Sequence, residues 1–303
     1  MLIKQWLQLI KLLNNGNMKV GFVFGLLLFL LVVPLSAQQV KSVIPYRMVG
    51  GKMIVDMSVN GQVRSFIFDT GGQMALTGEL CNELNIPVVD SVKITDVNGK
   101  EVGLPRVVVS SLLTLDGQIN FSGVPAMKLA TPSPFECFHA DGLIGSDLLK
   151  DLIVEIDSKT KTITVTSAEK ASNVSLRKML PFSGKGFMPI ITLQAGAGNS
   201  LIALFDTGCP GFLSLKDTDY ENLRSGGAFQ MMSEGVGGGS IGVGGMTESE
   251  LSYRVEFPLL SVGPTKFKQV TAETSTPPYT LLGVKLLGYG KVTIDYPSRR
   301  PKR

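Results

Sequence analysis

Two carboxylates in identical four-residue settings are the side chains of this chain best suited to chemistry. Phe68-Asp69-Thr70-Gly71 recurs as Phe205-Asp206-Thr207-Gly208, 137 residues further on. Leu143-Ile144-Gly145 recurs as Leu281-Leu282-Gly283, and Ile156-Asp157 as Ile294-Asp295, each after 138 residues. Order and spacing are kept across half the chain, which points to an internal duplication. Two carboxylates held face to face repel one another, so one retains a proton. The charged member can then activate a water as general base while the protonated member delivers a proton to a leaving amine, and the pair titrates as a unit. Such a pair hydrolyses a peptide bond without metal, histidine or an activated Ser or Cys. Asp and Gly are also ordinary turn formers, and a lone motif would be read that way. Turn chemistry does not require the same four residues twice.

The surrounding elements must bring the two motifs to strand ends. Residues 53–59 alternate apolar and polar, Asn60-Gly61 is a two-residue hairpin signal, and residues 63–68 return as a strand that runs into the first Asp-Thr-Gly. In the second copy residues 188–193 and 201–205 flank the looser loop at residues 195–200 and end at the same motif. Short helices are expected at residues 79–84 and 217–223, with Leu80 and Leu84 four apart. A second hairpin is signalled at Val97-Asn98-Gly99-Lys100, and residues 107–115 form a β-branched run. After Gly145, Ser146 is expected to cap a helical turn before strands at 153–156 and 162–165. The polar stretch 167–178 separates the copies, with the boundary near residue 174. The whole reads as predominantly β.

At these residues the chain resembles the aspartic protease superfamily, whose members unite two Asp-Thr-Gly loops, each with a downstream hydrophobic-hydrophobic-Gly element. The resemblance spans roughly residues 43–297 and is to a single chain of two retropepsin-like lobes, pepsin-like in arrangement. It implies a mainly β, bilobal acid-protease fold: two similar closed β-barrel-like lobes with a cleft between them. It also implies that Asp69 and Asp206 are the catalytic dyad, that Thr70 and Thr207 interlock beneath it with support from Gly71 and Gly208, and that residues 143–145 and 281–283 brace the loops. The family usually follows Asp-Thr-Gly with Ser, Thr or Ala; here Gly72 and Cys209 follow, so a hydroxyl beside each Asp is missing. The first lobe's expected flap, residues 94–106, has no tyrosine. The glycine-rich stretch 235–245 occupies the second flap's place, with Gly237, Gly238, Gly239 and Ser240 as candidate substrate-binding residues. A passive loop is the alternative, and its G-x-G-x-x-G lacks the strand-to-helix setting of a dinucleotide site.

Composition narrows the class. With 44% hydrophobic and 18% charged residues and three cysteines, the chain is neither disordered nor a disulfide scaffold. Residues 20–33 carry no charge, follow Lys19 and end before Ser36-Ala37, as in an export signal. Cleavage after Ala37 is expected, with Met18 an alternative start. The domains are thus 1–37 signal peptide, 38–173 N-terminal lobe and 174–303 C-terminal lobe. An uncleaved signal would be a membrane anchor, although 14 residues fall short of the roughly 20 that span a bilayer. Removing it takes three lysines and no acid from a net charge of +4, leaving +1. Neither nucleic acid nor membrane is implied as partner, and the basic tail 299–303 reads as a solvated terminus. One histidine, His139, and no Cys-x-x-Cys argue against metal, and no cofactor is expected. A Cys81–Cys137 disulfide and three half-buried thiols remain open alternatives, and Cys137 with His139 is a poor nucleophile-base pair. The expectation is an exported, monomeric aspartic endopeptidase of the periplasm or exterior, a bacterial envelope by preference, acting on proteins or peptides. The alternative is a non-catalytic peptide-binding or structural protein with the same fold.

Overall fold

The computed structural model describes residues 40–96, 99–167, 180–183, 187–196, 198–237, 239–246, 248, 251–275 and 278–299. The expected signal peptide, the boundary near residue 174, Val97-Asn98, Gly238 and residues 300–303 lie outside them.

Asn60 and Gly61 both take the left-handed conformation (φ 48° and 87°), as a two-residue hairpin turn of matching twist requires. The turn sets the register Val59↔Gln62 between neighbouring strands. In chain order the first half contains β1 (Lys41–Val49), β2 (Lys52–Val59), β3 (Gln62–Asp69), β4 (Ala75–Leu76), α1 (Gly78–Glu83), β5 (Val88–Thr95) and β6 (Glu101–Thr114). It continues with β7 (Asn120–Lys128), β8 (Gly142–Gly145), α2 (Ser146–Leu149), β9 (Ile153–Asp157) and β10 (Thr162–Thr166). The second half contains β11 (Ile190–Gln194), β12 (Ser200–Phe205), β13 (Leu213–Lys216), α3 (Asp217–Ser225), β14 (Gln230–Val236), β15 (Ile241–Gly242) and β16 (Gly245–Met246). β17 (Leu251–Val262), β18 (Thr265–Ser275), β19 (Thr280–Leu282) and β20 (Val292–Asp295) complete it. The fold is mainly β, with an 11-stranded and a 7-stranded sheet.

The duplication is visible pair by pair. In the first half, pairing runs β2-β3-β8-β4-β7-β6 and returns to β2. In the second it runs β11-β12-β19-β13-β18-β17 and returns to β11. Each circuit contains the same unusual step, a parallel pairing of the motif-bearing strand with the later hydrophobic-hydrophobic-Gly strand: β3 with β8, and β12 with β19. β20 leaves the second half and pairs antiparallel with β9, Val154↔Ile294 and Ile156↔Val292. These two pairs exchange under the repeat offset, so a local twofold axis passes by Glu155↔Thr293.

Strands beneath the motifs are buried on both faces. Met53, Val55, Met57, Phe66 and Phe68 point into the main core, whereas Ile54 and Ile67 join a second cluster with Leu104, Met127, Phe135 and Phe138. Each such side chain contributes about 1.5–3 kcal/mol relative to exposure. Two-sided burial explains why Phe66-Ile67-Phe68 is an unbroken apolar run where a half-exposed strand would alternate.

Two local expectations are adjusted. The first helix runs Gly78–Glu83, one residue earlier than the expected 79–84, because Thr77 caps it, its Oγ1 accepting from the Leu80 N–H at 3.2 Å. Ser146 does not cap the turn after Gly145: its Oγ and its N–H both donate to the Gly72 carbonyl, which ties the turn to the first motif's loop. All three cysteines are free; Cys81 and Cys209 are buried and Cys137 is exposed.

Candidate active site

β3 and β12 deliver their Asp residues to facing loops at the centre of the molecule. In the parallel ladder Asp69 stands beside Gly145. The Asp206 N–H donates to the Leu282 carbonyl at 2.9 Å, so each loop is anchored on its neighbouring strand. The loops then cross-link through their threonines. Thr70 N–H donates to Thr207 Oγ1 (3.0 Å), and Thr207 N–H donates to Thr70 Oγ1 (3.1 Å). Each hydroxyl passes its own proton across the junction: Thr70 Oγ1 donates to the Phe205 carbonyl (2.8 Å) and Thr207 Oγ1 to the Phe68 carbonyl (2.7 Å). Both threonines are fully buried. Four reciprocal hydrogen bonds in a dry environment fix the separation of the two loops.

Above this junction the carboxyls meet. Gly71 N–H donates to Asp69 Oδ1 (2.9 Å) and Gly208 N–H to Asp206 Oδ1 (2.7 Å), orienting each side chain from its own loop. A Cβ on Gly71 would lie 2.6 Å from Asp206 Cγ, and one on Gly208 2.7 Å from Asp69 Oδ2. Only glycine at these two positions leaves space for the opposing carboxyl. Asp206 is buried, and burial, the Asp69 charge and the hydrogen bond between the two carboxyls push it well above the ordinary carboxyl value of 3.8. The pair therefore holds its shared proton to higher pH than an isolated aspartate does.

The two residues that follow the Asp-Thr-Gly motifs behave differently. A Cβ on Gly72 would come 2.9 Å from Asp69 Oδ2, so the position lies directly against the carboxylate. Burial, reinforced by the Asp206 charge, pushes the Cys209 thiol up to about 12, leaving it a neutral thiol packed with Leu204 and Leu281. Cys137 and His139 are both exposed, with His139 in the left-handed conformation at the end of a 3-10 turn. Among the described residues no group of three or more His, Cys, Asp and Glu could hold a metal ion.

The dyad sits on a cleft of about 750 Å³ lined by both halves, including Ile67, Phe135, Phe138, Met188, Leu204 and Phe212. The β5–β6 hairpin contributes Ile94, Thr95 and Asp96. The glycine-rich stretch forms the end of the equivalent β14–β17 hairpin, where β15 and β16 make a small hairpin of their own rather than opening a helix. Gly237, Gly239 and Ser240 line the cleft. Ile241 and Val243 pack against the same buried cluster as Val92, Ile94 and Val102 of the first hairpin, and a Cβ on Gly244 would lie 2.6 Å from Asp96 Oδ2 and 3.0 Å from Val102 Cγ2. The two hairpin ends therefore meet over the cleft.

Lys52 was not among the residues expected in the site. It lines the cleft, donates from Nζ to the Gly208 carbonyl, and stands 5.7 Å from the centre of the Phe138 ring. Its position was countable: continuing the β2–β3 register by two residues from Ile54↔Ile67 places Lys52 opposite Asp69.

No protein family and no curated protein matches the chain by sequence. Among solved structures it is similar to a retropepsin-like aspartic protease from Rickettsia conorii, at 17% identity over 43% of this chain and 91% of that one, with a TM-score of 0.31. It is also similar to basic 7S globulin from soybean, at 9% identity over 84% of this chain and 95% of that one, with a TM-score of 0.48.

Proposed function

We propose that this chain is an aspartic endopeptidase that hydrolyses a peptide bond between Asp69 and Asp206. The observation that carries the reading is the reciprocal threonine cross-link, which holds two carboxyls within hydrogen-bond reach in a cleft shared by two duplicated halves. In this mechanism Asp69 and Asp206 share one proton, the charged carboxylate acting as general base toward a water between them and the protonated one as general acid. The Gly71 and Gly208 N–H groups keep the carboxyls aimed while the proton moves. The hairpins from both halves cover the substrate and exclude bulk water, the role assigned to Gly237, Gly239 and Ser240. A protein or peptide is the substrate class, and the apolar leader at residues 20–33 supports export before the protein acts.

A second reading, a non-catalytic peptide binder, draws on Gly72 and Cys209, which leave both carboxyls without an adjoining hydroxyl. One experiment separates the two. The protein lacking residues 1–37 is incubated with a peptide library from pH 3 to 7, beside D69N and D206N. Endopeptidase action predicts cleavage that falls by about 10²–10⁴-fold in either variant, with far-ultraviolet spectra unchanged. Absence of cleavage throughout, or Asn variants as active as the parent, refutes the catalytic reading.

A further inference from the structure

The twofold repeat makes the two sides of the cleft comparable position by position. Continuing the β2–β3 register from Ile54↔Ile67 puts Lys52 opposite Asp69, and continuing β11–β12 from Ile190↔Leu204 puts Met188 opposite Asp206. Lys52 and Met188 are thus equivalent positions, one in each half, and both line the cleft. One presents a cation, the other a thioether packed with Leu204 and Cys209. The backbone is symmetric here and the chemistry is not.

Lys52 is half-buried, and among the described residues it forms no salt bridge. The Gly208 carbonyl takes one of its three N–H donors, and the nearby Phe138 ring supplies a π face. The Lys52 charge acts on Asp206, yet neither carboxyl of the dyad is an ion-pair partner to it. A half-buried ammonium with spare donors at the wall of a peptide-sized cleft favours an anionic guest. The other cations lining the cleft are placed differently: Arg254 stands across the strands from Glu273, and Lys285 is exposed.

We propose that Lys52 is a specificity-determining residue that pairs with an acidic side chain of the substrate on one side of the scissile bond, while Met188 selects an apolar side chain at the mirrored position. The inference rests on the endopeptidase reading. Gly208 lies two residues beyond Asp206, and an extended substrate advances about 3.3 Å per residue, so the acidic position falls within about three residues of the cleaved bond.

The test uses matched peptides, Asp against Asn and Glu against Gln, at each of three positions on either side of the bond. The parent protein is expected to favour the acid by about tenfold in kcat/KM at one position on one side only, with an apolar residue preferred at its mirror. K52M should bring that ratio to near one, K52E should turn the preference toward Lys, and 1 M salt should shrink it in the parent. If K52M does not fold, K52Q makes the same comparison. A parent ratio near one at all positions, or an acid preference that survives in K52M or K52Q, overturns the proposal. So does a K52M effect confined to the pH profile, which would make Lys52 a tuner of the dyad alone. If no peptide is cleaved, the endopeptidase reading fails by itself, and anisotropy of labelled acid and amide peptides bound to D206N still decides the role of Lys52: equal affinities overturn it.

Discussion

Replacing Thr207 with valine removes one hydroxyl and keeps the shape. Thr207 Oγ1 accepts from the Thr70 N–H at 3.0 Å and donates to the Phe68 carbonyl at 2.7 Å. Thr70 and Thr207 have no solvent exposure, so water cannot replace the lost partner. Each buried group left unsatisfied costs about 1–3 kcal/mol, and T207V should therefore lose about 2–6 kcal/mol. That is a large share of the roughly 5–15 kcal/mol that holds a domain folded. T70V orphans the equivalent pair, the Thr207 N–H and the Phe205 carbonyl, and should cost about the same. T207S keeps the oxygen and should stay within about 1 kcal/mol of the parent. Urea unfolding followed by tryptophan-independent circular dichroism measures the difference as a shift in midpoint at constant slope. Peptide cleavage gives the second readout, because a dyad displaced by about 1 Å loses about 10²-fold in rate. A loss below about 0.5 kcal/mol in T207V, or a T207S variant as damaged as T207V, refutes the claim that the threonine cross-link holds the two carboxyls together.

Two further outcomes follow from the buried groups. Asp206 binds its proton more tightly in the folded chain than at the ordinary 3.8, so its contribution to stability is present below that value and is lost as pH rises toward its elevated folded value. Unfolding free energy measured from pH 3 to 8 should fall over that range, and D206N should flatten the slope; a parent whose stability rises with pH there, with D206N unchanged, contradicts the assignment. Thiol labelling should be strongly site-selective. Exposed Cys137 is expected to react with iodoacetamide in the folded protein, whereas Cys81 and Cys209, pushed up to about 11 and about 12 by burial, react only on unfolding; peptide mass spectrometry reads each site, and rapid labelling of Cys209 in the folded state would falsify its placement.

Several parts of this architecture are local and therefore legible without coordinates. Asn60-Gly61 sets a hairpin because its backbone preferences match the strand twist, and that register carries the chain to Asp69. The glycine-rich stretch 235–245 announces a hairpin end for a similar reason, since eight of its eleven residues are glycine or serine. Ser146 was misread as a cap because a capping hydroxyl and a hydroxyl that reaches another loop look alike until the Gly72 carbonyl is brought beside it.

By itself the sequence determines the duplication, the predominance of strands and the residue types that meet at the motifs, because these follow from spacing, periodicity and turn chemistry over a few residues. Only the tertiary structure decides that β3 runs parallel to β8 and β12 to β19, that the hairpin ends meet over the cleft, and that Asp206 is buried against Asp69. The same is true of Lys52, whose ammonium reaches the loop of the opposite half. These features depend on which surfaces are removed from water together, and burial is a property of contacts made across more than a hundred residues of chain.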